Sequence, residues 1–226
     1  MALFDEAMYD WSKPVDSFWE TRRSGLPRVE ASALAGDDTA EVAVIGGGYC
    51  GLSAAYHLAR AGIEVRVLEA GDIGWGASGR NGGFCSANAS WLGPDELIAA
   101  HGEDETFAFQ RALNDAVMLV EDLAKEEGFD LGRQGDGIWT FAHKPSRVAE
   151  LTTQAEFMAR FGVAARVISA RTFESQAFAC AEQFGALFEP IGFGLNPLAF
   201  CLGLAQAAAR RGARLHSRSR VIGWRS

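Results

Sequence analysis

The sequence predicts an α/β fold that opens on a parallel βαβ unit, and three observations carry that prediction. A short β-branched run, Glu41-Val42-Ala43-Val44-Ile45, leads at once into Gly46-Gly47-Gly48-Tyr49-Cys50-Gly51. Residues 52–61 then repeat apolar positions at helical spacing, with Leu52, Ala55, Leu58 and Ala59 on one face. Gly62 stops that helix, and a second β-branched run, 63–68, ends on Glu69. Two strands joined by a helical crossover run parallel.

The segment before this unit, residues 1–40, reads as an irregular arm. Pro14, Gly25, Pro27 and Gly36 interrupt it, and Asp37-Asp38-Thr39 is a turn signal. Trp11, Phe18 and Trp19 are the expected anchors, since aromatic side chains dominate such contacts. After Glu69, residues 71–83 carry Gly71, Gly74, Gly76, Gly79, Gly82 and Gly83, a loop that lets backbone pass close to a ligand.

Helices are predicted over 94–102, 104–128 and 145–161, the last opened by Pro145 at its first turn. Strands are predicted over 137–142, 163–168 and 186–188. Asn196 followed by Pro197 is an N-cap and N1 pair, so the last helix runs from there to about Arg211, where Gly212 stops it. Strands follow over 213–217 and 220–224. The domain organisation expected is an arm (1–40), a βαβ unit with its glycine loop (41–90), a helical and mixed segment (91–195), and a return to the first domain (196–226). The pattern stops at Ser226 inside a half-built sheet, an edge that proteins normally cover, so a cut chain is expected.

Composition narrows the class. The chain has 226 residues, a net charge of -8 and 48% hydrophobic residues. That balance, with 11% aromatics, excludes general disorder. No uncharged apolar run reaches the roughly 20 residues of a membrane span. An acidic pI of about 5.1 argues against nucleic acid as a partner. Cys50, Cys85, Cys180 and Cys201 form no CxxC and no Cys/His metal spacing, so reduced thiols, no metal site and a cytoplasmic location are expected. Met1 to Glu6 carries early acids and no apolar core, which is not a secretory signal.

The chemistry concentrates in Gly46-x-Gly48-x-x-Gly51. The first glycine allows the tight turn out of the strand, the second lets a pyrophosphate approach, and the third permits close helix–strand packing. The helix N-terminus offers free N–H groups and partial positive charge to the phosphates. Glu69 stands 21 positions after Gly48, near the roughly 20 expected for the acid that holds a ribose. This is a dinucleotide-binding, Rossmann-like signature. A carboxylate at that place would repel a 2′-phosphate, which disfavours NADP and leaves NAD and FAD. The glycine loop beginning five residues later, with Ser78, Arg80 and Asn81, fits the longer cofactor. Cys50 reads as a small packed residue, because bound phosphate would block it as a nucleophile. His57, His101, His143 and His216 form no triad pattern.

The run 42–55, the tetrad Val67-Leu68-Glu69-Ala70 and the loop Ile73-Gly74-Trp75-Gly76-Ala77-Ser78-Gly79-Arg80-Asn81-Gly82-Gly83 together resemble the D-amino-acid-oxidase-like family of FAD-dependent amine and amino-acid oxidoreductases. Asn196-Pro197-Leu198 and Ser219-Arg220-Val221 are a weaker echo. The resemblance implies an FAD domain with part of an α+β substrate domain, covering about the first half of the family pattern. It implies that Gly46, Gly48, Tyr49, Cys50 and Gly51 line the FAD pyrophosphate. Glu69, with Ala70 beside it, would hold the adenosine ribose. Ala77, Ser78, Arg80, Asn81 and Gly82 would lie along the ribityl chain and flavin, and Val221 would touch adenine through its backbone. It also implies oxidation of a C–N bond in a small amine or amino acid, with oxygen or another acceptor taking the electrons. No catalytic side chain is assigned. The competing expectations are a truncated, non-catalytic FAD-binding fragment and an NAD-dependent dehydrogenase.

Overall fold

The computed structural model describes residues 10–14 and 16–225. Met1 to Glu6, read above against an export signal, lies outside them, as does Ser226. The chain divides into two compact units: Met1–Gly83, Leu123–Arg133 and Leu195–Ser226 in the first, Phe84–Asp122 and Gln134–Gly194 in the second.

The first unit is a parallel three-stranded sheet. Strand β1 (Val42–Ile45) runs into helix α1 (Tyr49–Arg60), which returns to strand β2 (Val65–Leu68). β2 lies between β1 and the late strand β8 (Arg214–His216), giving the order β1-β2-β8. The register places Val44, Val67 and Leu215 side by side. Val44 faces α1, since a Cβ on Gly51 of that helix would meet its Cγ1 at 3.1 Å. Val65 and Val67 are fully buried and Leu215 nearly so. Helix α6 (Pro197–Arg210) packs on α1, and eleven of its residues are buried. Asn196 caps it, with Oδ1 accepting from the N–H groups of Leu198 and Ala199 at 3.1 Å each. Both the cap and Pro197 at N1 match the sequence expectation. Helix α1 begins three residues earlier than expected, because its N-cap is Gly48 inside the glycine motif.

Among its described residues, 10–14 and 16–40, the arm is irregular except for a 3-10 turn, Glu20–Gly25. Three points fasten its later part: Arg28 O accepts from Gln206 Nε2 at 2.9 Å, the Leu34 N–H donates to Ser219 Oγ at 2.9 Å, and Asp38 pairs with Arg66 at 2.7 Å. Arg66 is thus turned to the arm, and the guanidinium beside Asp38 holds its carboxyl down at about 2.

The second unit carries a two-stranded ribbon, β3 (Phe84–Cys85) with β7 (Phe193–Gly194), and an antiparallel sheet in the order β4 (Ile138–Phe141), β6 (Ala186–Glu189), β5 (Arg166–Ile168). Helices α2 (Pro94–His101), α3 (Glu103–Glu127), α4 (Val148–Ala159) and α5 (Ala170–Gln176) complete it. The end of α3 belongs to the first unit. Leu187 on β6 packs with Leu151 of α4 and Ala142. The opposite face of that sheet carries Trp139 against Phe188, and Phe173 against Trp139, Phe141 and Phe178.

Two expectations are corrected. Residues 220–224 form no strand: no other strand lies beside them among the described residues, and Ile222 and Trp224 are exposed at 94% and 84%. A β-branched run without a partner has nowhere to place its ladder hydrogen bonds. Pro145 opens a short 3-10 turn, Pro145–Arg147, and the α-helix proper starts only at Val148. The ribbon β3–β7 and helix α5 were not foreseen.

Candidate cofactor-binding site

The site is built at the carboxyl ends of the parallel strands, where open α/β sheets bind their ligands. β1 leads directly into Gly46, whose N–H donates to Leu68 O at 2.9 Å before the chain turns at φ +100°. That left-handed value is open to glycine and strained for other residues. Gly51 sits in the first turn of α1, and a Cβ there would collide with the Gly46 carbonyl oxygen. Its absence lets helix and strand close on each other. Gly48 has its own constraint, because a Cβ would lie 2.8 Å from Ser78 Oγ.

The middle glycine is also constrained, which the three-glycine motif did not signal. A Cβ on Gly47 would come 2.6 Å from Ile73 Cδ1 and 3.1 Å from Glu69 Cβ. Its N–H donates to Glu69 Oε2 at 2.7 Å, and the Gly71 N–H donates to Glu69 Oε1 at 2.9 Å. The carboxylate at the tip of β2 therefore lies against the bend. A carboxylate has about four lone-pair positions, so two backbone donors leave it able to accept from ribose hydroxyls. The backbone of Glu69 is fixed as well: its N–H donates to His216 O and its carbonyl accepts from the Ser219 N–H, both at 2.8 Å. Ala70 follows, half-buried. Val221 is half-buried two residues beyond Ser219.

Helix α1 starts without a side-chain cap bond from Gly48 and without an acid in its first turn. The N–H groups of Gly48, Cys50 and Gly51 find no acceptor among the described residues. That of Tyr49 donates to Ser78 Oγ at 3.1 Å. Cys50 is exposed beside these donors. Buried Cys201 places its Sγ 3.8 Å from Gly47 O, and burial pushes its thiol up to about 12, so it is inert.

The second glycine loop returns to the same place. Ala77–Gly79 is a 3-10 turn. Asn81 is its knot: Nδ2 donates to Ala77 O at 3.1 Å and to the Tyr49 hydroxyl at 3.3 Å, and Oδ1 accepts from the Gly83 N–H at 2.9 Å. The Tyr49 hydroxyl donates in turn to Pro197 O at 3.0 Å, while its ring packs on Phe200. Arg80 lies over the Trp75 ring, 4.6 Å from its centroid. Ala77, Asn81 and Gly82 are exposed. The structure thus brings together Gly46, Gly48, Tyr49, Gly51, Glu69, Ser78 and Asn81.

A helix terminus with open N–H groups at Gly48, Cys50 and Gly51, glycines where side chains would intrude, and a carboxylate alongside form a donor and acceptor set that fits a dinucleotide such as FAD. Among the described residues there is no His/Cys/Asp/Glu cluster able to hold a metal, and no helix is long and apolar enough to cross a membrane.

Comparison with known proteins gives the same direction. The chain is 32% identical over 183 residues to gamma-glutamylputrescine oxidoreductase of Escherichia coli K12, which covers 81% of this chain and 42% of that protein. It is 29% identical over 189 residues to glycine oxidase of Geobacillus kaustophilus, covering 82% of this chain and 48% of the relative. The chain therefore spans less than half the length of these relatives. In fold it matches the glycine oxidase structure from Geobacillus kaustophilus with a TM-score of 0.62 at 24% identity, over 79% of this chain and 46% of that one. L-amino acid deaminase from Proteus vulgaris matches with a TM-score of 0.66 at 20% identity, over 84% and 42%. The family model described as FAD dependent oxidoreductase (DAO) matches residues 41–226, and with that extent of match the chain belongs to the DAO family of FAD-dependent oxidoreductases.

Proposed function

We propose that this chain binds FAD along its first unit and serves the oxidation of a C–N bond in a small amine or amino acid. The observation that carries the reading is the start of α1, where the N–H groups of Gly48, Cys50 and Gly51 have no acceptor among the described residues, set against the Glu69 carboxylate at the bend. In this reading the N–H groups of Gly48, Cys50 and Gly51, with the turn at Gly46 and Tyr49, receive the pyrophosphate. Glu69 and Ala70 hold the adenosine ribose, and Val221 meets adenine through its backbone. Ala77, Ser78, Arg80, Asn81 and Gly82 line the path of the ribityl chain and the ring. When bound there, FAD would supply the redox chemistry of that oxidation, whose product would be an aldehyde or keto acid. The chain's own part is binding and orientation: Tyr49 and Asn81 tie the two glycine segments together, and the helix terminus supplies fixed positive potential. Residues 91–195 form the substrate side in this proposal, oxygen or another acceptor takes the electrons, and a cytoplasmic location accords with four free cysteines.

The test is reconstitution. The purified chain, loaded with FAD and passed over a sizing column, should retain yellow flavin absorbance, and Glu69→Ala should weaken FAD binding by about tenfold or more through the loss of charge-assisted hydrogen bonds. Anaerobic bleaching on addition of an amine or amino acid would support the C–N chemistry. A colourless chain that binds NADH instead would overturn the reading.

A further inference from the structure

Trp11, Lys13 and Trp19 precede the segment matched by the family model, yet they converge on the second glycine loop. Trp19 donates its indole N–H to the Asn81 carbonyl at 2.9 Å. The same ring closes over Gly83, where a Cβ would lie 3.3 Å from Trp19 Cζ2. At the other end of the loop, the Trp75 indole N–H donates to Lys13 O at 2.6 Å. The Trp11 ring lies 6.3 Å from that of Trp75, and a Cβ on Gly71 would touch both side chains. Two guanidinium groups extend the stack: Arg220 over Trp11 at 4.7 Å and Arg80 over Trp75 at 4.6 Å.

The loop has a physical need for such anchors. It holds Gly74, Gly76, Gly79, Gly82 and Gly83, and glycine loses more freedom on ordering than any other residue. A ligand that had to order this stretch by itself would bind correspondingly weakly. The arm can supply the order beforehand because it is itself held to α6, to Ser219 and to Arg66.

We propose that the arm is a positioning element for the cofactor loop: Trp19, Trp11 and the Lys13 carbonyl hold residues 75–83 in the shape that receives the flavin end of FAD. The proposal rests on the FAD reading above and adds a residue class that the glycine motifs do not contain.

The test uses the full chain with Trp19→Phe, which keeps an aromatic ring but removes the indole N–H and the far edge of the bicycle, and independently Trp75→Phe. Loss of one hydrogen bond should raise the FAD dissociation constant, read by flavin fluorescence, by roughly threefold to tenfold. In the FAD-free chain, amide hydrogen exchange over 77–83 should quicken by a similar factor in each variant, while α1 and α6 exchange as before. Unchanged loop exchange in both variants overturns the proposal. So does faster exchange spread evenly over the first unit, the sign of a merely structural role, or a loosened loop with unaltered FAD affinity. If Trp19→Phe fails to fold, Trp75→Phe decides. If the unaltered chain retains no FAD, the cofactor reading falls by itself, and the exchange comparison still decides whether the arm holds the loop.

Discussion

A methyl group is enough to distinguish the four glycines around the bend. At Gly51 the added Cβ would meet a backbone carbonyl, that of Gly46, which cannot move without pulling α1 off β1. At Gly47 it would meet the far end of the Ile73 side chain at 2.6 Å, which can change rotamer. Gly51→Ala should therefore cost about 2–4 kcal/mol in urea denaturation, and Gly47→Ala about 1 kcal/mol. Equal costs would mean that helix and strand are not in close contact there. Glycine spacing showed the motif, but the reason for Gly47 lies in Ile73 and Glu69, more than twenty residues away.

Helices and strands set the next scale. Helix α6 is buried nearly all round, so its ends must satisfy their own backbone groups. Asn196→Ala removes the acceptor for two N–H groups and should destabilise the fold by about 1 kcal/mol, measured by chemical denaturation. Strand β6 carries Glu189 at 2% exposure, with Gln154 Nε2 donating to it at 2.8 Å. Burial pushes its carboxyl from 4.5 up to about 7. A folded-state value above the unfolded one favours folding while the group is protonated. That contribution is fully present below pH 4.5 and is lost as pH rises through about 7. Stability of the native chain should fall by about 1–3 kcal/mol across this window, and Glu189→Gln should remove that slope. A variant with the same slope would place the titration elsewhere.

Across the whole molecule, Glu127 at the end of α3 joins elements that the sequence keeps far apart. It accepts from the Tyr56 hydroxyl of α1 at 2.8 Å and pairs with Arg210 at 3.0 Å and with Arg211. Although burial alone would raise it, bonds from Arg211, Tyr56 and Arg210 bring its carboxyl down to about 2. The sign is opposite to that of Glu189: the stabilisation is present above 4.5 and is lost as pH falls towards about 2. Glu127→Ala should cost about 1–3 kcal/mol at neutral pH and flatten the acid limb of a stability-versus-pH curve. FAD, if it binds the folded state alone, should raise the melting temperature with its concentration.

What the sequence determined by itself were the features encoded over a few neighbouring residues. The β-branched run before Gly46, the helical period after Gly51, the stop at Gly62 and the Asn196-Pro197 start need only local sterics and local hydrogen bonds. The acid at Glu69 was legible from spacing alone. The two-residue strands β3 and β7 carry no period to read, and α5 is two turns of helix with a single buried residue, Phe173. Residues 220–224 have strand composition but no neighbouring strand, which no local pattern can disclose. Only the tertiary structure decided the order β1-β2-β8, the bond from Trp19 to Asn81, the burial of Glu189 and the junction at Glu127. Each of these depends on partners brought together from distant parts of the chain, and strand pairing, desolvation and ion pairing have no energy until both partners are in place.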